Sequence, residues 1–292
     1  MATLRDIRRR IASVSNTMQI TNAMKMVSTA KLSRAQNAVR RAQPYAQVMR
    51  RMATSLAGGL TGDDHPFFAH REGGKSVVIL FTSDRGLCGA FNASLNKKLL
   101  ATLKDDDRFT DPELVTFGRK GQEFFTRRGF DIVKSVVQLQ EAEKAALIPT
   151  VLKEQIDRFL EGEVGRIFLA YNEFKSAIGQ EPTIAPLLPI VPPAPEGGHE
   201  ESADAKDERE TLFEPSQTMV LNQLLPNYME NQCFLAHLNN EAGEQGARMV
   251  AMDGATRNAG EMITSLTLQA NKVRQAAITK ELIEIVNGAQ AL

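Results

Sequence analysis

The chain has 292 residues, 42% of them hydrophobic, and its formal net charge is zero. That is enough apolar material for one large domain or two smaller ones. No apolar run approaches the ~20 residues of a membrane-spanning helix, which excludes a direct bilayer span, and Cys88 and Cys233 form neither a CxxC nor a metal-binding spacing, which fits a reducing, cytoplasmic compartment.

The first ~55 residues contain one proline, Pro44, and no glycine. Leu4, Ile7, Ile11, Val14 and Met18 follow a 3-4 spacing that continues through Thr21, Lys25, Ser28 and Leu32. This is the seam of a coiled coil whose later positions turn polar. At ~1.5 Å per residue such a helix reaches roughly 75 Å. Asp6 within its Arg-rich start, and the immediate helical pattern, argue against a transit peptide. No apolar stretch of a secretory signal precedes it. Residues 1–51 hold eleven Lys/Arg against Asp6, so this segment carries +10 and the remainder −10. Such a segment suits an acidic partner, nucleic acid or anionic lipid. Met24 and Met26, two apart, cannot face the same way. On a helical wheel Ile20, Met24 and Val27 lie roughly opposite the seam. The helix is thus apolar on two sides, and the second side needs a partner or stands exposed. Methionine suits a surface that accepts more than one packing.

"GGLTGDDHP" from Gly58 reads as a linker. "KSVVILFTS" reads as a buried strand, "DRGLCG" as a loop, and Phe91, Leu95 and Leu99 as a helix. "ELVTFG" is a strand, "RKGQEFFTRRG" a helix, "DIVKSVVQL" a strand, 143–161 a helix and "GRIFLAYNEF" a strand. "PTIAPLLPI", bounded by prolines, is an edge strand. Alternating strands and helices predict an α/β sheet of Rossmann-like type. Residues 192–211 are Pro-rich, then acidic, and read as a mobile loop. After Pro215 the helical pattern returns. Met249, Met252, Thr256, Ala259, Ile263, Leu266, Ala270, Val273 and Ala277 keep the 3-4 spacing almost to the end. The expected organisation is an N-terminal coiled-coil helix (1–57), an α/β domain (74–191), the acidic loop (192–211) and a C-terminal coiled-coil helix (212–292). The two long helices pair antiparallel, hiding both seams, with the α/β domain inserted between them. In "ITKELIEIVNGAQAL", Ile278, Leu282, Ile283, Ile285 and Val286 cover an arc of about 160°. That stripe either docks on the chain's own domain or faces a partner.

Catalytic signatures fail inspection. "GGKS" at 73–76 is no phosphate loop, because the first glycine would fall on Ala69 and the match precedes a strand instead of following one. The four histidines show no metal spacing, and no GxSxG is present. Asp84 and Cys88 follow the first strand, where α/β enzymes place reactive groups, but no histidine lies near in sequence. Gly86 and Gly89 read as the glycines of a tight strand-to-helix turn. No catalytic residue, metal or cofactor is expected.

Three motifs carry a resemblance: "TNAMKMVSTAKL" in the first helix, "SDRGLCGAFN" after the first strand, and "ITKELIEIVNGA" at the end. With "LFEPS" at 212–216 and "QGARMVAMDGATRNAGEMI" at 245–263, they make the chain similar to the gamma-subunit family of bacterial F-type ATP synthases. The resemblance implies a non-catalytic rotor shaft, turning inside a hexamer of alpha and beta subunits and coupling ion-driven rotation of the membrane c-ring to ATP synthesis or hydrolysis. It implies contacts to a catalytic subunit from Met24, Lys25, Arg274, Gln275, Thr279 and Glu281. Thr211, Phe213 and Glu214 would form a foot near the membrane ring. An epsilon subunit is a further implied partner, and the implied location is peripheral, on the cytoplasmic face of the bacterial inner membrane. The loop at 192–211 lacks the cysteine pair of the chloroplast version. Lys25 sits at a seam position, where it either marks an opened seam or snorkels toward a partner. Two rivals remain: a basic coiled coil bound to nucleic acid, against which stands the lack of aromatics other than Tyr45 on the first helix, and a hydrolase-like enzyme built on Asp84.

Overall fold

The computed structural model describes residues 3–57, 65–69, 74–190 and 217–290. The acidic loop and the proposed foot residues Thr211, Phe213 and Glu214 lie outside them, as does most of the Gly58 linker. The described elements are α1 (Leu4–Ala57), β1 (Lys75–Phe81), α2 (Phe91–Asp105), β2 (Glu113–Phe117), α3 (Arg119–Thr126), β3 (Asp131–Val136), α4 (Glu141–Glu161), β4 (Val164–Phe174), β5 (Gln180–Leu188) and α5 (Gln217–Gln290). Every strand and helix expected from periodicity is present. Two compact units divide the chain: Met1–Ala30 with Arg248–Leu292, and Lys31–Ala247. They do not follow the boundaries read from the sequence, because residues 31–57 of α1 and 217–247 of α5 pack in the unit that holds the sheet.

In that unit the strand order is β3-β2-β1-β4-β5. β1 pairs parallel with β2 and β4, and β2 parallel with β3. β5 returns antiparallel on β4 and forms the edge. That edge position tolerates Pro182 and Pro186, which cannot donate to a ladder. The alternation of side chains along β1 splits two cores. Val77, Ile79 and Phe81 enter one with α4 residues Ile148, Val151, Leu152, Ile156 and Phe159 and with Leu221, Leu225, Met229 and Cys233 of α5. Val78 and Leu80 enter the other with Leu95, Leu99 and Leu103 of α2 and Phe125 of α3. The sheet is therefore covered on both faces. That explains why its central strands read as continuous apolar runs and not as alternating ones.

The other unit is a pair of helical segments. Its seam follows the expected spacing: Met252, Ala259 and Ala270 of α5 are buried, and Thr256, Ile263, Leu266 and Val273 are half-buried. Ile7, Thr21 and Ser28 of α1 are buried as well. The segments run antiparallel, with Thr21 level with Thr256 and Lys25 with Asp253.

Candidate functional site

Lys25 is half-buried, and its Nζ lies 2.6 Å from Asp253 Oδ1. One helical turn along, the Thr21 and Thr256 hydroxyls meet at 2.8 Å. The polar stretch of the seam thus pairs with itself across the two helices. It neither opens at Lys25 nor leaves that ammonium to reach outward alone, as the sequence suggested. A buried polar position is stable when its partner arrives from the facing helix. Asp253 also meets Arg257 at 3.2 Å, one turn on. The hydrogen bond from Lys25 holds the Asp253 carboxyl below its usual value.

The second apolar side of α1 is open. On that side Ile20 and Val27 are 61% and 57% exposed and Met24 is half-buried, while Met26, between the two stripes, is 60% exposed. On α5, Met262 and Leu268 are exposed too.

The same register explains the end of α5. With Thr21 level with Thr256, the start of α1 at Leu4 falls level with about Val273. Beyond it α5 continues to Gln290 with no stretch of α1 alongside. Arg274, Gln275, Thr279 and Glu281 are all exposed there. The Thr279 hydroxyl donates to the Gln275 carbonyl at 2.9 Å, one turn back. Ile278, Leu282, Ile283, Ile285 and Val286 are exposed as well. Of the two readings of this stripe, docking on the chain's own domain does not occur among the described residues. The structure thus sorts the expected contact residues into two groups. Met24 and Lys25 stand on the paired stretch. The other four stand on the unpaired end, roughly 30–40 Å farther along α5.

In the sheet-containing unit, the loop after β1 opens at the point where strand order reverses between β1 and β4. Asp84 is committed to structure there. Its Oδ1 accepts the Arg119 backbone N–H at 2.9 Å, and its Oδ2 lies 2.8 Å from Lys144 Nζ. Burial opposes its charge, but the Lys144 and Arg119 bonds outweigh that and hold its carboxyl below the usual value. Lys144, whose side chain is 4% exposed, also meets Glu141 at 3.0 Å. Burial works against its ammonium, and the two carboxylates outweigh that, so its pKa is raised. Cys88 is buried beside Ser83 and Asn92. Leu87 and Gly89 adopt positive φ, so the turn uses Gly89 as expected but Leu87 in place of Gly86.

One constellation escaped the sequence reading. Glu141, His237 and Glu241 each offer a ligand atom, and these atoms lie within 4.8 Å of one another. His237 is buried, which favours its neutral form despite nearby Glu141. Burial and the charges of Glu141 and Glu244 push the Glu241 carboxyl up to about 7. Spacing among the four histidines does not reveal it, because the other two ligands are carboxylates. The visible signal was His237 and Glu241 at i, i+4 on one helix face.

A family model described as ATP synthase matches residues 3–292. The chain is 46% identical over 296 residues to an ATP synthase gamma chain from Anaeromyxobacter sp. (strain Fw109-5), covering all of both chains. It is 44% identical over 292 residues to an ATP synthase gamma chain from Desulforamulus reducens, again over all of both. Among solved structures it is similar to a chain of the Euglena gracilis mitochondrial ATP synthase rotor, with a TM-score of 0.67 at 20% identity, covering 94% of this chain and 98% of that one. It is also similar to a chain of the Tetrahymena thermophila mitochondrial ATP synthase central stalk and c-ring, with a TM-score of 0.58 at 23% identity, covering 81% and 99%. At such identities these two likenesses establish the fold alone.

Proposed function

From the premise that this chain belongs to the ATP synthase gamma-chain family and is the central shaft of that rotary enzyme, we propose that it couples rotation to catalysis through the unpaired end of α5. The observation that carries this reading is the exposed run from Arg274 onward, polar and apolar by turns, which α1 does not cover. Among the described residues it stays exposed.

In this reading the exposed apolar residues of that end, with Ile20, Met26 and Val27, bear against a surrounding hexamer of alpha and beta subunits. Arg274, Gln275, Thr279 and Glu281 make its polar contacts, and Met24 and Lys25 make a second set lower down. A single asymmetric chain cannot match a sixfold sleeve, so each contact must be exchangeable, which favours several weak ones. Lys25 is already held by Asp253. An acidic loop of a catalytic subunit would therefore share this cation with Asp253 instead of meeting it unpaired. The chain itself is non-catalytic, needs no cofactor, and lets its asymmetry set the affinity of each catalytic site. Thr211, Phe213 and Glu214 form the foot toward the c-ring, and the epsilon subunit completes the rotor. The complex is membrane-associated at the cytoplasmic face of a bacterial inner membrane. No described helix of this chain is long and apolar enough to cross a membrane. The basic N-terminal segment serves these acidic contacts. The relatives named above lend nothing to the nucleic-acid alternative.

The test is reconstitution with alpha and beta subunits, reading one copy of this chain per complex, followed by ATPase and ion-pumping assays. Arg274→Ala should slow coupled turnover, since a guanidinium can fork onto a carboxylate. Its effect on the melting of the free chain should be negligible, because the residue is exposed. Normal rate and normal pumping per ATP in the Arg274→Ala complex would remove this residue from the contact set.

A further inference from the structure

We propose that Glu141, His237 and Glu241 form a binding site for one divalent transition-metal ion of the zinc class, joining α4 to α5 within the sheet-containing unit. Nothing in the shaft role requires such a site. Its geometry is nonetheless that of a ligand set. His237 and Glu241 stand one turn apart on the same face of α5, the spacing by which helices present paired metal ligands. Glu141 enters from the first turn of α4. Its two oxygens are divided: Oε1 lies 3.0 Å from Lys144 Nζ, and Oε2 lies 3.8 Å from His237 Nε2. Ligands about 2.0–2.2 Å from a shared zinc ion sit roughly 3–4 Å apart. The three donor atoms, within 4.8 Å of one another, need only small side-chain rotations to close on one ion.

Charge points the same way. Asp84, Glu141 and Glu241 gather around a single buried ammonium, Lys144, which already bonds Asp84 and Glu141. A cation between Glu141 and Glu241 neutralises the surplus. The buried imidazole of His237 offers a nitrogen to the same point as the two carboxylates, and an imidazole nitrogen is the commonest metal ligand. One imidazole with two carboxylates suits zinc, cobalt or nickel. Magnesium and calcium prefer oxygen-only sets. Three protein ligands leave a fourth position for water. The service we infer is structural: the ion fastens the start of α4 to the part of α5 that packs on the sheet.

The test uses the full purified chain, stripped with a chelator, in mildly alkaline buffer, because metal ligands bind in their deprotonated forms. Titration with Zn²⁺ should show one equivalent bound and a rise in melting temperature, since an ion that binds only the folded chain stabilises it. Co²⁺ should give visible d–d absorption bands. His237→Asn and Glu241→Gln should each weaken binding by at least the roughly tenfold that even an outer-shell change costs. His199→Asn should bind as the wild type does. Glu241→Gln keeps the side-chain shape and removes a buried charge, so it should fold at least as well without metal. It decides the matter if His237→Asn does not fold. No bound equivalent in the wild type, or unchanged affinity in Glu241→Gln, would overturn the proposal.

Discussion

Two ion pairs show how position decides what a charge is worth. Lys25 and Asp253 have side chains 40% and 33% exposed, so losing the pair in Lys25→Ala should cost at most about 1 kcal/mol. Lys25→Glu sets two carboxylates against each other across the seam and should melt lower than Lys25→Ala. The double exchange Lys25→Glu with Asp253→Lys should recover most of the loss, and added salt should narrow these differences. Thermal melts of the four chains at two salt concentrations check this, and equal melting of Lys25→Ala and Lys25→Glu would contradict the pairing. Asp84 and Lys144 are more deeply placed, at 17% and 4% exposed. Removing one partner of a buried pair costs about 3–5 kcal/mol. Because Glu141 remains beside Lys144, Asp84→Asn should cost somewhat less, about 2–3 kcal/mol in chemical denaturation. The Asp84 carboxyl is held below its ordinary 3.8 in the fold. Its contribution is therefore present above that value and is lost as pH falls through the depressed one. Acid titration of stability should show a fall below pH about 4 that Asp84→Asn lacks. Neither pair was legible in the sequence. Lys25 and Asp253 are 228 positions apart, and only the register of two helices, which no local pattern states, brings them level.

At the scale of elements the sequence was far more readable, because periodicity is local. The 3-4 spacing of α5 matches its buried and half-buried positions from Met249 to Val273, and only the last expected position, Ala277, is exposed. Runs of β-branched residues marked β1 and β4, and prolines marked β5 as the edge. Turn glycines were read less well, since a glycine shows that unusual backbone is possible without showing where it is used. Gly118 opens α3 with φ of +112°, and a Cβ there would lie 2.1 Å from the Thr82 carbonyl oxygen. Gly118→Ala should thus destabilise by more than about 3 kcal/mol, from backbone strain and overlap together. Gly89, at φ +58° with open space around it, should lose only about 1 kcal/mol as alanine. Gly86 has neither constraint, and Gly86→Ala should be neutral or slightly stabilising. Urea denaturation of the three variants should give this order, and a harmless Gly118→Ala would mean that the close approach of α3 to β1 is wrong.

For the whole molecule, family and role were legible because short motifs recur at both ends and beside the first strand. The candidate contacts were less so, since being exposed depends on where α1 begins relative to α5. Deleting residues 274–292 should leave the melting temperature of the free chain nearly unchanged, because the described residues there are exposed. In the reconstituted complex the same deletion should loosen the hold on the hexamer, seen as a lower yield of assembled complex and less pumping per ATP. A lower melting temperature of the truncated chain would show that the end is part of the fold. The step from two helices to one also has a mechanical side. Where α1 and α5 run together, bonded across the seam at Thr21–Thr256 and Lys25–Asp253, a twist must shear those bonds and slide one helix along the other. Past Val273 only one backbone resists. A twist along this unit would therefore meet a stiffer stretch and then a more compliant one, with the last turns of α5 the easiest part to wind.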